Sequence, residues 1–181
     1  KAVESLNQIS SSLSSQQITN DFIPLISRLA KERWFSLHIA ATGLFKSVIL
    51  KVSKSERLEL MKLYSDLIHD DSPMVRKAAG KELPELINIL CQQFNTPDNL
   101  EDLNWNLITN MYEALVNDNQ DSVKFLSVDV LISILQFLKK INETSQVDDL
   151  FTSLITLIND PSWRVRYMVA DRFDSLTNNF N

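Results

Sequence analysis

The sequence predicts an all-α chain, built as an array of antiparallel helical hairpins. Apolar residues recur at three- and four-residue intervals along almost the whole chain, the mark of helices with one buried face. Only two glycines and five prolines occur in 181 residues, too few for the many tight turns of a β-sandwich. An acid–valine–base pattern also returns at successive helix starts, which makes the chain a repeat rather than a mosaic.

Composition narrows the function classes. With 44% hydrophobic residues the chain can bury a core and is not a disordered segment. Acids outnumber bases by 23 to 18, a formal charge of -5. That balance speaks against nucleic acid as a partner, since phosphate binding needs a basic face. No apolar run approaches the length of about 18 residues that a membrane-spanning helix needs, so no membrane partner is expected. Cys91 is the one cysteine; it has no partner for a disulfide, fits a reducing compartment and reads as a small buried apolar residue. The chain opens on Lys1 without a leader pattern, as a segment of something longer would.

In order, Val3, Leu6, Ile9 and Leu13 mark a lone amphipathic helix over 1–13. A Ser/Gln-rich link at 14–17 leads to a helix from Ile18 to Ala30, which Pro24 should bend. Trp34 to Val52 reads as its partner, giving a hairpin over 18–52. Ser53 and Glu56 have capping-box spacing for a helix over 55–68. Ser72 and Pro73 then suit the cap and first position of the next helix. Its stripe is Val75, Ala78, Ala79, Leu83, Leu86, Ile87 and Leu90, with a kink expected at Pro84, and the hairpin covers 55–93. A polar link at 92–99 separates it from helices over 100–116 and 120–141, the latter with Val123, Leu126, Val130, Leu131, Ile134, Leu135 and Leu138 on one face. Helices over 147–158 and 162–179 close the series. In the last, Asp160 should cap, Pro161 should open the helix, and Val165, Met168, Val169, Phe173 and Leu176 should face inward. One lone helix and about four antiparallel pairs (18–52, 55–93, 100–141, 147–180) thus form a single array over 1–181.

Aligning the turns on Val75, Val123 and Val165 places an acid five residues before each (Asp70, Asp118, Asp160) and a base one residue after (Arg76, Lys124, Arg166). A degenerate copy has Glu32, Leu37 and His38 in the same places. Such units cannot bury their stripes singly and must stack. Each acid could cap its own helix and face the base of the next unit, forming a ladder; the plainer alternative is capping alone.

This is the pattern of HEAT repeats, and the wording is more specific still. Trp34-Phe35-Ser36 with Gly43-Leu44-Phe45, Asp70-Asp71-Ser72-Pro73-Met74-Val75-Arg76-Lys77-Ala78-Ala79, Asn119-Gln120-Asp121-Ser122-Val123 and Ser162-Trp163-Arg164-Val165-Arg166-Tyr167-Met168-Val169-Ala170-Asp171 resemble the scaffold (A) subunits of type 2A serine/threonine protein phosphatases. The resemblance implies a HEAT-repeat α-solenoid and a non-catalytic scaffold, with this stretch in its N-terminal half, running from the end of the third repeat through the seventh. It implies phosphatase regulatory (B-type) subunits as partners on the turns, and a catalytic subunit held only by repeats outside this stretch. It also implies a cytoplasmic and nuclear location. The link at 92–99 and Pro84 depart from the family's regular unit.

Stacking buries the stripes and leaves the turns free, so the candidate contact residues are Trp163, Arg164, Asp70, Asp71, Pro73, Met74, Asn119, Asp121 and Trp34. Trp and Arg are favoured interface anchors. Trp163 could instead fold back on its own repeat, and Arg164 could be solvated or pair with an acid on the partner. The acids, Asp118 and Asp160 included, should give the turns a negative edge suited to a basic or polar partner. Phe35 and Trp105 read as core, and His38 takes the base position of the ladder. Neither metal spacing, phosphate loop nor nucleophile–base pair is visible, so no cofactor, metal or catalysis is expected. A HEAT adaptor of the transport or chromosome-associated type, or an enzyme with a cleft between hairpins, are the competing classes.

Overall fold

The computed structural model describes residues 1–93, 103–143 and 145–180. Every regular element among them is helical, and the chain divides into two compact units, Lys1–Gln93 and Phe94–Asn181.

In the first unit, α1 (Ala2–Ser12) precedes a continuous helical rod made of α2 (Ser15–Gln17), a π turn (Ile18–Phe22) and α3 (Ile23–Lys31). The rod begins earlier than the sequence suggests. Ser14 and Gln17 form a capping box, so the supposed link is a helix start. The effect of Pro24 is the widened turn just before it, where the Ile23 N–H reaches back to the Ile18 carbonyl. α4 (Phe35–Thr42) packs antiparallel on α3, and α5 (Lys54–Ile68) on α6 (Pro73–Gln93), while α4 stacks on α6 and α3 on α5. The expected box at Ser53 and Glu56 is present. α6 continues through Pro84, because buried Leu83, Leu86 and Ile87 anchor it on both sides.

The helix expected over Trp34–Val52 ends at Thr42. Leu44, Phe45, Val48, Ile49 and Val52 are buried all the same, in turns around a short 3₁₀ segment (Phe45–Ser47). Buried Arg57 replaces the helical ladder there, donating from Nε to the Ile49 carbonyl at 3.2 Å and from Nη2 to the Val52 carbonyl at 3.4 Å. α1 rests on this region. Its inward face is rotated from the expected one, with Ile9 exposed and Ser10 buried, since Asn7 and the Ser10 carbonyl are pinned by the Gly43 carbonyl and Lys51. The core centres on Tyr64, edge-on to Phe45 at 5.0 Å and donating to the Ala79 carbonyl at 2.7 Å.

In the second unit, α7 (Trp105–Val116) packs against α8 (Asp121–Lys124) and α9 (Ser127–Lys140). α10 (Val147–Ile158) packs against α11 (Trp163–Asp171), followed by α12 (Phe173–Phe180). α11 stacks on α8 and α12 on α9. The two long helices expected here are therefore both interrupted, at Phe125–Leu126 and at Arg172. Each break lets one second helix follow two neighbours, and at the second the Arg172 guanidinium binds Asp129 on α9 at 3.0 Å. Past that bend Phe173 turns outward rather than joining Val165, Val169 and Leu176 in the core. Trp105 is buried as expected, against Phe137 at 5.5 Å and donating to Gln146. The expected start of α7 at residue 100 and the body of the 92–99 link lie outside the described residues.

Candidate functional site

The turns before α6, α8 and α11 are each built around one aspartate. The Oδ1 of Asp70 accepts from the Ser72 N–H, that of Asp118 from Gln120 and that of Asp160 from Ser162, all at 2.8 Å. This reverses the chain just before the second helix begins. In Asp70 and Asp160 the other oxygen reaches across to the preceding hairpin. Asp70 Oδ2 lies 2.7 Å from His38 Nδ1, and Asp160 Oδ2 accepts from Lys124 Nζ at 3.0 Å. The ladder exists within each unit, but its direction is corrected: the acid meets the base of the preceding hairpin. Arg76 and Arg166 serve their own turns, Nη1 of each donating to two turn carbonyls at 2.8–3.1 Å.

The electrostatics at Asp160 follow from this geometry. Burial alone would push its carboxyl up, but the Lys124 ammonium, the Ser162 N–H and the nearby Arg166 outweigh it and hold the carboxyl below its ordinary range. Helix capping is a separate task. Ser162, not Asp160, caps α11 through the Arg164 N–H, so Pro161 stands in the turn and the helix begins at Trp163. Pro73 does open α6.

Because the aspartates turn inward, the expected negative edge is mostly lost. Asp118 and Asp160 are buried and Asp70 is half-buried. Asp71 and Asp121 are the turn acids with substantial exposure, and Asp121 accepts from Ser162 Oγ at 2.7 Å and faces Arg164 at 3.6 Å. Arg164 thus has its acid within the chain, although both groups are open enough to water for the pair to be weak.

The apolar half of the prediction fares differently. Trp163 is 62% exposed and does not fold back; the Arg164 guanidinium lies over its ring, 5.4 Å from the centroid. Trp34 is 67% exposed, Met74 is exposed, and Pro73 and Asn119 lie on the surface with them. Phe35, expected to be core, is 44% exposed, because it occupies the first position of α4 as Trp163 does of α11. Sequence reasoning missed Tyr167, as exposed as Trp163. Its signal was available: it lies four residues after Trp163, on the helix face away from Val165 and Val169. Among the described residues no three His, Cys, Asp or Glu side chains converge as metal ligands would.

Comparison with known proteins agrees with this architecture. The HEAT repeat model matches residues 150–180, the last hairpin. A crystal structure of computationally designed armadillo repeat proteins for modular peptide recognition aligns with a TM-score of 0.52 at 16% identity, covering 96% of this chain and 74% of that one, a likeness of fold alone. The regulatory A subunit of protein phosphatase PP2A from Saccharomyces cerevisiae is 48% identical over the whole chain, and that from Schizosaccharomyces pombe 33% over 97% of it. The chain spans 28% of the length of each. With nearly half its residues shared along its full length, the chain belongs to the HEAT-repeat family of PP2A regulatory A subunits.

Proposed function

We propose that the chain is part of a non-catalytic phosphatase scaffold, one HEAT array over 1–181 from the N-terminal half of the full protein, whose hairpin turns dock B-type regulatory subunits. The catalytic subunit is then held by repeats outside this stretch, and the assembly works in cytoplasm and nucleus. The observation that carries the reading is the exposure of large side chains at the starts of second helices, Trp163 above all, beside aspartates that are spent on holding the turns. An exposed indole with a guanidinium over its face is a ready anchor for a partner. The relatives' names, each a regulatory A subunit of a phosphatase, support a scaffold role.

The test is titration of the chain with a purified B-type regulatory subunit. Trp163→Ala should weaken binding by about 2 kcal/mol or more, roughly thirtyfold, with the helical circular dichroism unchanged. Equal affinity in the variant would remove Trp163 from the interface.

A further inference from the structure

The geometry points to a pH-sensitive clasp at His38, which ties the first hairpin to the next when its ring carries both protons and slackens when it carries one. The two ring nitrogens face two acceptors. Nδ1 lies 2.7 Å from Asp70 Oδ2, and Nε2 lies 2.6 Å from the Glu32 carbonyl. A carboxylate and a carbonyl can only accept, and a neutral imidazole has a single N–H to give. Whichever nitrogen keeps that proton, the other sets a lone pair against an oxygen at hydrogen-bond distance. Only the imidazolium makes both contacts, and histidine is the side chain whose charge ordinarily changes between about pH 5 and pH 8. The clasp is therefore complete at the acid end and is lost as pH rises.

What the clasp joins gives it a consequence. Glu32 ends α3, His38 lies in α4, and Asp70 holds the turn before α6. Exposed Trp34 and Phe35 lie between the first two, and Pro73 and Met74 just beyond the third, so the ring sets how these two turns stand to one another. At the equivalent place in the second unit the rung is a lysine, Lys124 on Asp160 at 3.0 Å, and a lysine ammonium ordinarily titrates far above that range. The charges on the elements around His38 pull both ways. Asp70 is the acid in contact with the ring, and the Glu32, Asp66 and Asp71 carboxylates add to it. Against the second proton stand Arg76, held on the Asp70 and Asp71 carbonyls, the exposed Lys31, Arg33 and Lys77, and the N-terminal end of α4. That opposition lets the ring give up its proton instead of staying locked in one state.

Nuclear magnetic resonance of the whole chain tests this between about pH 5.5 and about pH 8. Ring nitrogen shifts should show both His38 nitrogens protonated at the acid end and one at the other. Solvent exchange of the Ser72 amide, corrected for its intrinsic pH dependence, should quicken at least about threefold over that range. That of Ser162, held the same way beside Lys124, should change less than about twofold. His38→Lys should abolish the acceleration, and His38→Ala should leave Ser72 fast at both ends, with Ser162 unaltered as the sign that the fold persists. His69 lies nearer Ser72 along the chain, but its Nδ1 faces the Ser65 carbonyl at 2.8 Å, an acceptor that the neutral ring can satisfy; His69→Gln should leave the response intact. A Ser72 amide that tracks Ser162 across the range, a response that survives in His38→Lys, or one that vanishes in His69→Gln would each overturn the clasp. No readout here needs a partner, so the clasp and the docking at Trp163 stand or fall separately.

Discussion

Asp160 shows how much one side chain does in this fold. It is 6% exposed, holds the Ser162 N–H with one oxygen and the Lys124 ammonium with the other, and so ties turn to neighbour. Replacing it with alanine leaves a half-buried N–H and a half-buried ammonium unpaired, at an expected cost of about 2–4 kcal/mol. Asp160→Asn keeps the turn acceptor and loses only the charge, so it should cost about 1 kcal/mol less. Urea unfolding at neutral pH measures both. The pH dependence has a definite sign. A carboxyl held below its ordinary value stabilises the fold above the unfolded-state pKa, and that stability is lost as pH falls through the lower folded value. The gap between Asp160→Ala and the unaltered chain should therefore be full above about pH 4 and shrink below it. A gap that stays constant down to strong acid would show that the carboxylate charge is not what matters.

At the scale of elements, the informative contact is α1 on the turns that follow α4. A Cβ built on Gly43 would stand 2.9 Å from Val3 Cγ1, inside any real contact distance. The backbone of Gly43 is ordinary, at φ -80°, so the glycine is needed for closeness and not for conformation. Val3 is β-branched and cannot easily turn away. Gly43→Ala should thus lift α1, at a cost of about 1–3 kcal/mol, and expose its amides to faster hydrogen exchange while α5 and α6 stay protected. Adding Val3→Ala should restore most of the loss. If the single variant exchanges like the parent, α1 does not rest on Gly43.

For the molecule as a whole, repeat physics means that each hairpin depends on its neighbours for a complete core. Within the second unit α10 still shows Phe151, Ile155 and Ile158 at the surface, at i, i+4 and i+7 on one face. A stripe of that kind marks an interaction surface or an association hazard. Sedimentation of the chain alone should show the average mass rising with concentration, and Ile155→Lys should suppress the rise. A monomer at all concentrations would mean that the stripe is too narrow to drive contact.

Much of this was legible in the residues themselves. Helical spacing determined the fold class, and the recurring acid, valine and base located the turns, because capping and reversal are local events set by a few neighbouring side chains. The family resemblance rests on the same turns. Tertiary structure alone decided which way those side chains point. Asp70 and Asp160 could have faced a partner, but the second oxygen of each finds a base on the preceding hairpin, a contact between residues 32 or 36 positions apart that no local pattern encodes. The same holds for the buried stretch after Thr42 and the outward turn of Phe173. Apolar spacing says that a residue prefers to leave water, whereas the neighbour's shape determines whether a helix is the way it does so.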